Sequence, residues 1–441
     1  MAAKKRKSGR KPSKGVSGNP QRRAQQFQEH EAVRPRAAEP AETGEPRAWP
    51  WWAESHRTVL DRVREAEWPD RLLDIETLAG RITGEEFGAR VNGPGQRTGL
   101  TPAGWRQALT ETAMDALDAD WASGGKDWPR LWAFCCGIAD EEAVAELEAG
   151  AREIAAGGDA LVPGVPVPWY QSAEGADVLL ARDVYGDRIL LTAPFSDPAR
   201  PSDADHWYAW DLDWCAIGLV VGAGAYDSAD AALTEWRDAV GPAAGGAAFG
   251  PCPPRTGLRL LQQAQHGSMQ SDSVIGDEPG EFFREAPRLT RRAAALAAAL
   301  GKRLPREQPG EAEAREASVQ GFLDQHTGHA WNSPGDRDSD EDLLDLILEA
   351  WGPEVPPDEA AFFACSPHRI ESCASFLREA YEPEPVNEAM ALFPDWVQWC
   401  ARQTGLDGEF TERALAAARA EAATPAGARP PKREVPFRRA E

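Results

Sequence analysis

The chain has 441 residues, 42% apolar and 27% charged, which is enough to build a sizeable core and allows about three domains. No apolar run reaches the ~18 residues needed to cross a bilayer, so a membrane-spanning protein is excluded, and seven Cys scattered over this length do not make a disulfide scaffold. The formal net charge is −23, so the body as a whole repels nucleic acid.

That charge is not spread evenly. Residues 1–36 hold eleven Lys/Arg and two acids, a local charge of +9, densest at Lys4, Lys5, Arg6, Lys7, Arg10, Lys11 and Lys14. Residues 1–47 have almost no large apolar side chains. They cannot offset their ordering entropy, so a disordered basic tail is expected there. Such a polycation reaches phosphates and binds nucleic acid without sequence preference. The last eighteen residues carry +3 and make a second expected tail, 424–441, which leaves −35 on the body. The basic start has no apolar run after it, so no secretory signal is read. The chain is expected to be cytoplasmic, with reduced thiols.

A helical domain is expected over 48–160. Val59, Leu60, Val63 and Ala66 keep helical spacing, and Leu72, Leu73, Ile75 and Leu78 open a second helix. Thr101 and Pro102 read as the cap and first position of a third. Trp128–Ile138 and Ala143–Ile154 complete the set, with Trp68, Trp105, Trp121, Trp128 and Trp132 as core anchors. The Pro-rich loop 157–168 ends this region. The period then falls from 3.6 to 2. A hairpin at 178–192, strands at 207–216 and 217–221, and a helix from Ser228 to Gly241 predict a small ββββα module over 168–242. A Gly/Pro linker is expected at 243–256.

Helices return over 257–423. The Ala-rich run 293–300 predicts a well-packed or partner-facing helix, and Gly310–Phe322 another. Ser339 and Asp342 have capping-box spacing ahead of Leu343, Leu344, Ile347, Leu348 and Trp351. Short helices are expected at 358–365, 367–381, 386–393, 394–404 and 410–422. The fold class is therefore α+β and predominantly helical, with the ββββα module between an N-terminal helical region and a C-terminal helical bundle.

Few constellations suggest chemistry. Gly222-Ala-Gly224 follows a strand, but Asp227 stands where a dinucleotide fingerprint needs Gly or Ala, so a Gly-rich turn is expected. Asp211 and Asp213 share one strand face by alternation, with His206 nearby and Tyr208, Trp210, Leu212 and Trp214 opposite. Two carboxylates and a His suit a divalent metal or acid–base work; otherwise this is an outward, solvated face. Cys365, His368 and Cys373 lack paired zinc-knuckle spacing, and Cys373 falls on an apolar helix face. His326 and His329 follow a helix end. A helix-turn-helix at 396–415 would present Glu409 and Glu412 to phosphates, the wrong charge for DNA. No nucleophile elbow, P-loop or zincin motif occurs. No cofactor is expected, and no Cys on a metal.

Gly18-Asn19-Pro20-Gln21-Arg22-Arg23-Ala24, the start Trp51-Trp52-Ala53-Glu54-Ser55-His56 and the segment 392–422 resemble an uncharacterised protein family of high-GC actinomycetes. The resemblance covers about a third of the chain and implies no activity. Residues 225–240 resemble small antitoxin-like α+β modules. The residues themselves predict a non-enzymatic interaction or scaffold protein. Its partner would be a protein, with nonspecific nucleic acid or ribosomes at the basic arm and no membrane. The alternative is a metal-dependent hydrolase or nuclease using Asp211 and Asp213.

Overall fold

Val59, Leu60 and Val63 recur at helical spacing and are buried along one side of α1 (Trp52–Glu65). α2 (Leu72–Val91), α3 (Pro102–Ala122) and α4 (Trp128–Ile138) follow. Pro102 and Pro129 stand in the first turns, where a missing N–H leaves no gap. Trp105 and Trp132 are buried, as their pattern predicts, but Trp121 is 41% exposed. It lies near the end of α3 and packs edge-on against Trp128, with ring centroids 4.7 Å apart.

The computed structural model describes residues 52–91, 102–139, 143–147, 149–150, 171–172, 177–196, 206–215, 218–270, 279–300, 319–325, 334–352 and 359–425. All belong to one unit, Trp49–Glu441. The tail expected over 1–47 lies outside the described residues, as do Thr101, the loop 157–168, His326, His329 and most of 424–441.

Alternation builds the sheet. β2 (Leu179–Arg182) and β3 (Arg188–Ser196) form the predicted hairpin, β4 (His206–Asp213) and β5 (Leu219–Tyr226) extend it, and α5 (Ala229–Val240) follows. Ser228 caps α5 by accepting the Ala231 N–H. Short strands β1 (Gln171–Ser172) and β6 (Gly250–Pro251) complete an antiparallel sheet of order β5-β4-β3-β2-β6, with β1 also on β3. Two details differ from the sequence reading. The Gly-rich stretch is strand, not turn: Gly224 leaves room for the Tyr226 ring, which lies 3.1 Å from where a Cβ would stand. The segment 243–256 holds the end of a 3-10 turn (Gly241–Ala244), β6 and the start of α6 (Pro254–Gln270), not a plain linker.

Both sheet faces are covered. Ile189, Leu191, Phe195, Tyr208, Trp210, Leu212 and Val220 pack with α1–α4, α6 and α7 (Pro279–Leu300) in one large core. This core crosses the boundaries expected near 160 and at 243–256. α6 comes so close to the sheet that a Cβ on Gly267 would sit 2.0 Å from the Gly218 carbonyl oxygen. The opposite face meets α5 through Leu190, Ala209, Ala232, Leu233 and Trp236.

The C-terminal helices surround a second core. α8 (Pro334–Ala350) begins five residues before Ser339, so Ser339 is not its cap; Pro334 suits the first helical position. α9 (Glu359–Phe362) is one turn. α10 (Pro367–Ala380) is capped by Ser366, which accepts the Arg369 N–H. α11 (Pro383–Thr404) runs unbroken through Pro394, where two helices are predicted. Val386, Ala389 and Met390 before the proline and Trp396, Val397 and Cys400 after it all enter this core, and that packing outweighs the lost hydrogen bond. α12 (Gly408–Ala422) starts at Asp407, which accepts the Glu409 N–H. Among the described residues, no helix is long and apolar enough to cross a membrane.

Candidate functional site

The predicted chemistry centred on β4, and β4 ends at a seam between the two large cores. The β2–β3 hairpin tip builds that seam. Asp183 shapes the turn: its Oδ1 accepts the N–H groups of Gly186 at 2.8 Å and Arg188 at 3.2 Å. The tip sends Tyr185 into the C-terminal core. Asp187 follows, fully buried, and accepts from Arg369 Nε at 2.7 Å and the Ser366 N–H at 3.1 Å. Arg369 also donates to the Trp214 carbonyl at 2.7 Å. These bonds hold the end of β4 against the first turn of α10.

Asp183 and Asp187 repel one another inside this tip. Burial first, and the Asp187 charge second, push the Asp183 carboxyl up to about 7. A carboxyl raised in the folded state stays protonated after the unfolded chain has ionised. Its penalty is absent below pH ~4, grows as pH rises toward 7, and then levels off. Asp183→Asn keeps the two accepted hydrogen bonds and removes the charge. It should gain about 1 kcal/mol or more over wild type at pH 7.5 and almost nothing at pH 4. Urea unfolding at both pH values measures this, and a gain independent of pH would contradict it.

Asp211 and Asp213 do share a face, as alternation predicts, but that face is not solvated. α5 lies across it. Trp236 Nε1 donates to Asp211 Oδ1 at 2.9 Å, and Arg188 grips both Asp211 oxygens, through Nε at 3.1 Å and through Nη2. Burial opposes the Arg188 charge, and Asp211 more than offsets this, so the guanidinium pKa rises. His206 takes the other face. It stacks on Phe195 with ring centroids 5.9 Å apart and meets Arg292 Nε at 3.3 Å. Asp211, Asp213 and His206 therefore do not converge on one point.

Different residues gather around Asp213. Its Oδ1 accepts the Cys215 N–H at 2.8 Å, and its Oδ2 lies 4.0 Å from His368 Nδ1. The Cys215 sulfur is 3.5 Å from Ser366 Oγ. Sequence reasoning paired His368 with Cys365 and Cys373. Cys373 instead contacts the Ile347 carbonyl within the C-terminal core. All seven Cys are unbridged and buried. Only the D-x-C spacing of Asp213 and Cys215 hinted at the actual grouping.

Behind His206 lies a second polar centre that the sequence reading missed. Glu76 of α2 is fully buried and receives Arg288 at 2.9 Å, Arg291 at 2.9 Å and Arg292 at 2.7 and 2.8 Å, all from α7. Arg288 also binds Glu285 at 3.0 Å, and Glu285 accepts the Tyr208 hydroxyl at 2.9 Å. The Arg292 guanidinium stands over the Tyr208 ring. Arginines at 288, 291 and 292 share one side of a helix, which was the available signal. Their partner was not, being more than 200 residues away.

The helix-turn-helix candidate is α11 and α12, joined at Gly405 with φ +64. Glu409 and Glu412 of α12 pair with Arg413 and Arg419 of the same helix. The basic residues Lys4, Lys5, Arg6, Lys7, Arg10, Lys11 and Lys14 lie outside the described residues. No protein-family model, no curated protein and no solved structure matches the chain.

Proposed function

We propose that this is a non-enzymatic, cytoplasmic interaction protein: an acidic body that docks a protein partner and carries a basic arm for nucleic acid. The carrying observation is the segregation of charge, +9 over residues 1–36 against −35 on the body. A body of that sign cannot approach a polyanion unaided, so the arm supplies the attraction. The arginines buried in the body support the same reading. Arg288, Arg292 and Arg369 are engaged by carboxylates, so their positive charge is neutralised inside the body.

The test is binding of generic RNA or duplex DNA at low salt. Full-length protein should bind, and a chain lacking residues 1–36 should not. For about six phosphates on a duplex, log K should fall against log salt with a slope of roughly −5. Sequence should matter little, because lysine and arginine side chains that contact phosphates do not read base edges. A flat salt response, or binding that survives the deletion, would refute the reading.

A further inference from the structure

We propose that Asp213, Cys215 and His368 form a site for a divalent cation of the zinc class. A carboxylate oxygen, a sulfur and an imidazole nitrogen of these residues all lie within 4.8 Å of one another. Zinc bonds of ~2.0–2.3 Å in a tetrahedron hold their ligand atoms about 3.3–3.8 Å apart. The three donors therefore need to close by roughly 1 Å. His368 is the group able to do it: its side chain is 62% exposed, so its ring can swing inward without disturbing either core. Asp213 and Cys215 are buried and already set in place.

The surroundings prepare each donor. Asp213 Oδ1 is held by the Cys215 N–H, which leaves Oδ2 as the ligand atom. Arg188 approaches Oδ2 only to 3.7 Å, beyond hydrogen-bond range, because Asp211 holds its guanidinium from the other side. Ser366 Oγ accepts the Arg369 N–H at 3.1 Å, so its own proton can point at the Cys215 sulfur 3.5 Å away. That bond orients the sulfur, while burial first, and the Asp187 and Asp213 charges next, raise the Cys215 thiol pKa, so the cation must displace the thiol proton as it binds. Hydrogen bonds of this outer kind orient metal ligands and tune their basicity.

Charge and donor type choose the ion. A thiolate, a carboxylate and a neutral imidazole balance a dication, while Arg188 and Arg369 already have their own aspartates. A sulfur and a nitrogen suit zinc and its neighbours, whereas Mg²⁺ and Ca²⁺ prefer all-oxygen sets. Three protein ligands leave a fourth position for water on the exposed His368 side.

Cobalt(II) is the probe, added to untagged full-length protein stripped of metal under reducing conditions. One equivalent should produce a thiolate-to-cobalt charge-transfer band, and zinc should displace it. Cys215→Ser should remove the band. His368→Ala should weaken cobalt binding by at least about 10-fold, the low end of the loss seen for outer-shell partners alone. No band in wild type, or an undiminished band in Cys215→Ser, overturns the proposal. If the buried serine variant does not fold, His368→Ala decides the matter, because an exposed ring can be removed without opening a core. Unchanged cobalt affinity in that variant overturns the proposal as well.

Discussion

Replacing Glu76 by Gln should destabilise the fold by about 3–5 kcal/mol, the range for breaking a buried ion pair. Glu76 is the carboxylate common to Arg288, Arg291 and Arg292. The amide fills the same space, so no cavity enters the measurement, but three guanidinium groups would then face each other in a medium that screens them poorly. Replacing Arg288 by Met as well should recover part of the loss, since Arg291 still has the Cys136 and Gly137 carbonyls. Wild type carries the same signature in its pH response. Burial alone would raise the Glu76 carboxyl, but Arg292, Arg291 and Arg288 outweigh it and hold it at about 2. A depressed carboxyl contributes its full stability above the unfolded value, near 4.5, and loses it as pH falls toward 2. Wild type should therefore lose stability steeply across that window, and Glu76→Gln should lose less. Equal acid sensitivity in the two proteins, or a neutral-pH loss under 1 kcal/mol, would show that the network is not what ties α2 to α7.

Local features were legible in the sequence because they depend on neighbours in the chain. Ser228 and Gly241 bracket α5, and α10 opens at Pro367, where a helix over 367–381 is expected. Alternation placed Tyr208, Trp210, Leu212 and Trp214 in the core and Asp211 with Asp213 opposite. The same parity puts His206 with Tyr208, so its separation from the two aspartates was available and unused. Pro394 misled in the other direction. A proline reads as a stop, but residues on both sides of it enter one core, and burial holds the helix together. The solvated aspartate face failed because nothing local to Asp211 announces that α5 will cover it or that Arg188 will reach it. Long-range grouping was out of reach altogether. Cys215 meets Ser366 across 151 residues, and no period or spacing within a segment records such a contact.

The seam between the cores offers the second large effect. Asp187→Ala should cost about 3–5 kcal/mol and should loosen the C-terminal helices more than the α2–α7 pair. Asp187 stands at the hairpin tip, but its partners, the Ser366 N–H and Arg369, belong to α10 and its cap. Without it Arg369 remains buried, with the Trp214 carbonyl at 2.7 Å and the Trp351 carbonyl at 3.3 Å but no countercharge. Burying a lone guanidinium is so unfavourable that α10 should open to admit water. Hydrogen exchange should then speed up across α10 while the amides of α2 and α7 stay protected, since these helices pack in the other core. The double replacement Asp187→Asn/Arg369→Met separates charge from packing. Asn still accepts the Ser366 N–H, and Met fills much of the arginine stem volume. The double variant should recover most of the loss, short of the ~1–2 kcal/mol attached to carbonyls left unpaired. Stability that falls further in the double variant, or exchange that rises equally in α2 and α10, would show that the seam is held by shape and not by this ion pair.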